Sequence, residues 1–98
     1  MSSSNIDLKI SRIRDVKVTE DTLSVELEDG RGISIHLAWY PRVHYGTSEE
    51  RLNWHLIGGG ECIHWPTLDE DVSVEDLILG RRSGESQSSL KRWRERHA

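Results

Sequence analysis

Two runs of strict alternation on either side of Asp29-Gly30 limit what this chain can fold into more than any other feature. In Thr22–Glu28, Leu23, Val25 and Leu27 point one way and Thr22, Ser24, Glu26 and Glu28 the other. Side chains alternate across a strand, so this pattern predicts a half-buried strand with one core face. Asp-Gly between alternating runs is a strong hairpin signal, because hairpin turns need residues that tolerate positive φ. The return run, Gly32–Leu37, sends Ile33, Ile35 and Leu37 to the inward side. Between Asp7 and Val18 the apolar spacing is that of extended chain, with Val16 and Val18 on one face. An antiparallel meander of three strands follows, one face of which must be covered.

The chain has limited means to cover it. Its 98 residues are one domain's worth, 35% apolar and 31% charged, with no phenylalanine. Trp39, Trp54, Trp65 and the aliphatic residues must therefore supply the core volume. A core of this size gives modest stability, which leaves a homodimer open. One cysteine makes no internal disulfide and fits a reducing compartment. The start, Met1-Ser-Ser-Ser-Asn5, lacks the charged and apolar regions of a signal peptide, and no apolar run approaches membrane-spanning length. The expected location is the cytoplasm, with no membrane partner.

Beyond the meander, Pro41 breaks the sheet. Thr47-Ser-Glu-Glu50 reads as a capping box opening a helix over roughly 48–53. Trp54 to Trp65 reads as two short strands around Gly58-Gly59-Gly60, with Pro66 ending the pairing. Ser73-Val-Glu-Asp76 is a weaker capping box for a helix through Leu79, with Gly80 as its C-terminal stop. Residues 81–89 read as a polar linker. Leu90–Ala98 has two apolar residues at i, i+3, too few to hold an isolated helix. The predicted fold class is α+β: a small antiparallel sheet (three-stranded meander plus a short hairpin), two short helices and a flexible basic C-terminal tail. Residues 1–5 are expected to be disordered, 6–80 to form one domain, and 81–98 to be linker and tail.

Charge is unevenly spread. Residues 1–80 carry seven Lys/Arg against fifteen Asp/Glu, a net of −8; residues 81–98 carry six against two, a net of +4. An acidic body with a basic end points to charged partners.

Several ordered blocks carry a resemblance. These are Asp29 to Arg31, Leu37 to Arg42 (Leu-Ala-Trp-Tyr-Pro-Arg), Thr47 to Trp54, Ile57 to Glu61 (Ile-Gly-Gly-Gly-Glu), Ile63 to Pro66 (Ile-His-Trp-Pro) and Leu68 to Leu77. Together they resemble the small bacterial domain-of-unknown-function family numbered 2442, from about Val16 to Gly80. Cys62 departs from it, standing where a small residue, usually glycine, is expected. The resemblance implies an α+β fold, a bacterial or phage context and no established enzymatic activity. Some relatives look like antitoxin-type partners encoded beside a small toxin; others carry an added helix-turn-helix, for which too few residues follow Gly80 here.

The richest local stretch is Trp54–Ser73. His55, Cys62 and His64 flank the glycine turn, but their spacing matches no standard ligand motif, and a hydrogen-bonded structural histidine is the plainer reading. Cys62 as a nucleophile needs a base and a lowered pKa; a buried inert thiol is the plainer reading. Gly58–Gly60 lacks the lysine and long helix of a phosphate loop and reads as a tight turn. No catalytic residue, metal ligand or cofactor is assigned. The expected function is a protein-interaction domain, in its sharpest form the antitoxin-type partner of a toxin-like neighbour. Asp69, Glu70 and Asp71, with Glu49 and Glu50, would face a basic partner, and Trp39, Tyr40 and Trp65, where exposed, would be apolar anchors. The alternative is a nucleic-acid-associated accessory protein using the basic tail, with Trp93 stacking on bases. Docking of that tail on the acidic body is a further option.

Overall fold

The structure, a computed structural model, describes residues 11–97. The disorder expected at residues 1–5, and the extended run before Ser11, lie outside the described residues.

The meander forms as its alternation demands. Strands β1 (Ile13–Val18), β2 (Thr22–Leu27) and β3 (Gly32–His36) pair antiparallel in the order β1-β2-β3. Val16, Val25 and Ile33 stand in one cross-strand row. A register shift between Ile13 and Asp15 inserts one extra residue, so Ile13 and Val16, three apart, both reach the core. Gly30, at φ 95°, makes the β2–β3 turn. The Asp29 carboxylate accepts from Arg31 N at 3.0 Å and from its guanidinium at 2.8 Å, which holds the Asp29 carboxyl below its ordinary range.

Pro41 does more than break the sheet. After a 3-10 turn (Leu37–Trp39) it occupies the first turn of a one-turn helix, α1 (Pro41–His44). There its fixed φ is pre-set and its missing N–H costs nothing. The Thr47 capping box is complete in both directions and opens α2 (Ser48–Leu52).

The expected short hairpin is a second three-stranded meander: β4 (His55–Ile57), β5 (Cys62–Trp65) and β6 (Glu70–Ser73). Pro66 ends β5 but not the sheet. Leu68 is buried, Asp69 takes φ 53°, and this sharp turn returns the chain so that Val72 pairs with Ile63. Part of the acidic run is therefore strand. Ser73 Oγ accepts from Asp76 N at 3.0 Å and opens α3 (Val74–Leu79), which ends at Gly80, φ 73°. The Asp76 carboxylate engages Arg81, so the cap is one-directional.

The glycine triplet joins the two sheets. All three residues have positive φ, and Gly60 O accepts from Ile13 N at 2.8 Å. A Cβ on Gly60 would lie 2.6 Å from Ile13 O, an approach that requires glycine.

The largest correction concerns the C-terminal end. Residues 81–97 are not a free linker and tail: Gln87–His97 is a helix, α4, docked on the body. Trp93 is 4% exposed and belongs to the same buried cluster as Ile13, Leu37, Tyr40, Ile63, Trp65 and Leu68. The approach is tied residue by residue, by Tyr40 Oη donating to Arg81 O (2.7 Å), Ser83 N to Trp39 O (3.0 Å) and Arg42 to Glu85. Tertiary packing supplies what the short amphipathic segment lacks alone. Among the described residues no helix is long and apolar enough to cross a membrane.

Candidate interaction surface

The three aromatic candidates separate on folding. Trp65, on the inner face of β5, is 0% exposed, and its indole N–H donates to Arg51 O at 3.0 Å. Tyr40 is 3% exposed; burial pushes its phenol up to about 12. Neither is a surface anchor, because both fill volume that phenylalanine would otherwise take. Trp39 remains half-buried, with the Arg82 guanidinium 4.7 Å above its ring.

The acidic triplet also divides. The Asp69 and Asp71 side chains are 84% and 62% exposed. Glu70 alternates inward beside Trp65, its cross-strand neighbour, and burial raises its carboxyl above the ordinary range. The solvent-facing acids of this edge are thus Asp69 and Asp71. Glu49 lies exposed on α2, while Glu50 is taken up by the Thr47 cap and by His97 Nε2 at 2.7 Å.

Two arginines of the body are consumed inside it. Arg42 is 15% exposed and its guanidinium meets the 9%-exposed Glu85 through Nε (2.9 and 3.0 Å) and Nη2 (2.6 Å). Its Nη1 donates to Asp69 O at 2.9 Å and Asp69 Oδ2 at 3.2 Å. Hydrogen bonding to Arg42 holds the Glu85 carboxyl below its usual range. Arg51 donates to the carbonyls of Val43, His44, Thr19 and Glu20. Sequence reasoning missed this scaffold. The available signal was Arg42 beside Pro41 and a lone acid, Glu85, amid serines.

The outer face of the second sheet carries His55, His64 and Asp71 in one row and Ile57, Cys62 and Ser73 in the next. Ile57 is solvent-exposed. Burial raises the Cys62 thiol, so it is protonated at neutral pH, the state of an unactivated thiol. Among the described residues no three His, Cys, Asp or Glu side chains converge as a metal cage.

On α4, Lys91, Arg92, Arg94 and Arg96 are exposed, and Arg94 lies 4.0 Å over the Tyr45 ring. An open cleft of about 910 Å³ runs beside this helix, lined by Tyr45, Leu90, Trp93, Arg94 and His97 among others. Trp93 itself is stacked on His97 (4.6 Å) and covered. It cannot stack on bases without undocking the helix.

Comparison with known proteins agrees with this architecture. Residues 13–83 match the family described as protein of unknown function (DUF2442). A Rhodospirillum rubrum protein of unknown function has a similar fold: TM-score 0.68, 20% identity, 82% of this chain and 96% of that one covered. So does an uncharacterised protein from Chromobacterium violaceum: TM-score 0.67, 22% identity, 91% and 82% covered. A probable nicotinate-nucleotide adenylyltransferase of Clostridium novyi (strain NT) is 22% identical over 100 residues. That match takes in 98% of this chain but 49% of the relative, so the chain spans about half its length.

Proposed function

Since this chain belongs to the DUF2442 family of proteins of unknown function, we propose that it is a non-catalytic protein-interaction domain. Its sharpest form is the antitoxin-type partner of a small basic toxin encoded beside it. The observation that carries the reading is the exposure of Asp69, in the turn before β6, and of Asp71 on β6, an edge strand, of a body whose own Arg42 and Arg51 are turned inward. Exposed carboxylates, each engaged through one oxygen only (Asp69 Oδ2 by Arg42, Asp71 Oδ1 by His64), speed encounter with a basic partner and select against acidic ones. The apolar contribution comes from Trp39, half-buried, and not from Tyr40 or Trp65.

Gly58–Gly60 joins two strands and opens no helix, so it offers no loop-to-helix phosphate cradle of the P-loop or dinucleotide-binding kind. Co-purification of the untagged protein with its genomic neighbours, expressed together, tests the proposal. A stoichiometric basic partner supports it. A protein that emerges alone from every such pairing overturns it.

A second reading, nucleic-acid association through the basic end, keeps one specific support: Lys91, Arg92, Arg94 and Arg96 are exposed on one docked helix. Contact would be with phosphates alone, because Trp93 is buried. Binding of duplex or single-stranded oligonucleotide that weakens steeply with salt favours it; no binding at 50 mM salt removes it.

A further inference from the structure

In the row His55–His64–Asp71 on the open face of the second sheet, the two histidines take no part in the surface proposed above. His55 and His64 are direct cross-strand partners, with ring centroids 6.5 Å apart and planes 30° from parallel. His64 Nδ1 lies 2.5 Å from Asp71 Oδ1, the partner on the other side. When that Nδ1–H donates to the carboxylate, the Nε2 lone pair of a neutral His64 is left free. This carboxylate–histidine arrangement fixes the tautomer and ring orientation of metal-binding histidines. The exposed His55 ring has no hydrogen-bond partner among the described residues.

We propose that His55 and His64 form a two-imidazole site for a divalent transition-metal ion, with Asp71 orienting His64. Two imidazoles on one tetrahedral ion, at Zn–N distances of about 2.0–2.1 Å, stand with centroids roughly 5 Å apart. The observed 6.5 Å closes to that when the unrestrained His55 ring swings by roughly 1–1.5 Å, a side-chain rotation that leaves the strand pairing intact. Imidazole suits zinc, copper and nickel, and water fills the remaining positions on this exposed face. Cys62, paired with Ile57 and Ser73 in the next row, lies outside the set.

Calorimetric titration of the tag-free full chain with zinc chloride tests the assignment. The expected result is one saturable site, weakened at least tenfold by His55→Ala or His64→Ala. Asp71→Asn should weaken it by about tenfold, the usual effect of losing an outer-shell partner. His36→Ala, at an exposed histidine on β3, and Cys62→Ser should leave it unchanged. Both ring removals leave the core intact, and His55→Ala, at an exposed residue, keeps the test valid should His64→Ala unfold. Absence of saturation up to about 1 mM zinc, or equal weakening by His36→Ala, overturns the proposal.

Discussion

Replacing Trp93 by alanine removes the residue that seats α4. Its indole is 4% exposed, stacks on His97 at 4.6 Å and has the Arg42 guanidinium 5.3 Å from its ring. Trp→Ala in a core costs about 3–5 kcal/mol. The lower end applies here, because α4 lies at the edge of the core and its neighbours can close part of the gap. About 3 kcal/mol is a large fraction of the 5–15 kcal/mol typical of such a domain, and at 4–8 °C per kcal/mol it lowers Tm by roughly 12–24 °C. Urea unfolding followed by far-UV circular dichroism measures it, with the fluorescence of the remaining tryptophans, buried Trp65 among them, as a second probe. A coincident loss at both probes means α4 unfolds with the body. A loss at the helix signal alone, with a smaller denaturant slope, means it undocks first. A shift below about 0.5 kcal/mol, the range of neutral surface substitutions, refutes the reasoning: residues 81–97 would then be the free tail that composition suggests.

Removing one partner of a largely buried ion pair strands the other, so Glu85→Ala should cost about 3 kcal/mol at pH 7, measured by urea unfolding. The Glu85 and Glu50 carboxyls sit below their ordinary range in the folded protein, so their stabilisation is complete above the unfolded value of about 4.3. It is lost as pH falls through the lower folded values, and the Glu85→Ala penalty should shrink there. Glu70 has the opposite sign. Its folded value is raised, so ionisation destabilises the fold as pH rises from the unfolded value through the folded one. Glu70→Gln should therefore raise stability at pH 7 and change little at pH 4, by the same assay. In the glycine turn, Gly60→Ala drives a Cβ to 2.6 Å from the Ile13 carbonyl at φ 109° and should cost about 3 kcal/mol of thermal stability. Gly59→Ala meets the tip of the Arg12 guanidinium and should cost about 1 kcal/mol.

The parts legible in the sequence are those fixed by local chemistry. Alternation about Asp29-Gly30, the Thr47–Glu50 box, and Ser73 with Gly80 each act over a few residues, and each formed where its pattern placed it. What was illegible depends on distant partners. β6 pairs because Val72 meets Ile63 across a turn at Asp69, a non-glycine residue with positive φ that no local rule anticipates. Helix α4 has Leu90 and Trp93 as its apolar residues, and its order comes from Arg42, Tyr40 and the core beneath Trp93. The candidate surface was half legible for the same reason. Charge marked Asp69 to Asp71, but strand alternation turns Glu70 inward, and a chain without phenylalanine spends Trp65 and Tyr40 on its core.

The central claim is that the acidic β6 edge receives a basic protein partner. The direct measurement is the affinity of a co-purifying neighbour for wild type, for Asp69→Lys with Asp71→Lys, and for Glu28→Lys, an exposed acid in the β2–β3 turn. The account predicts that the double reversal weakens binding at least tenfold, mainly through the association rate and most at low salt, while Glu28→Lys leaves it within twofold. Equal binding by all three proteins would contradict it.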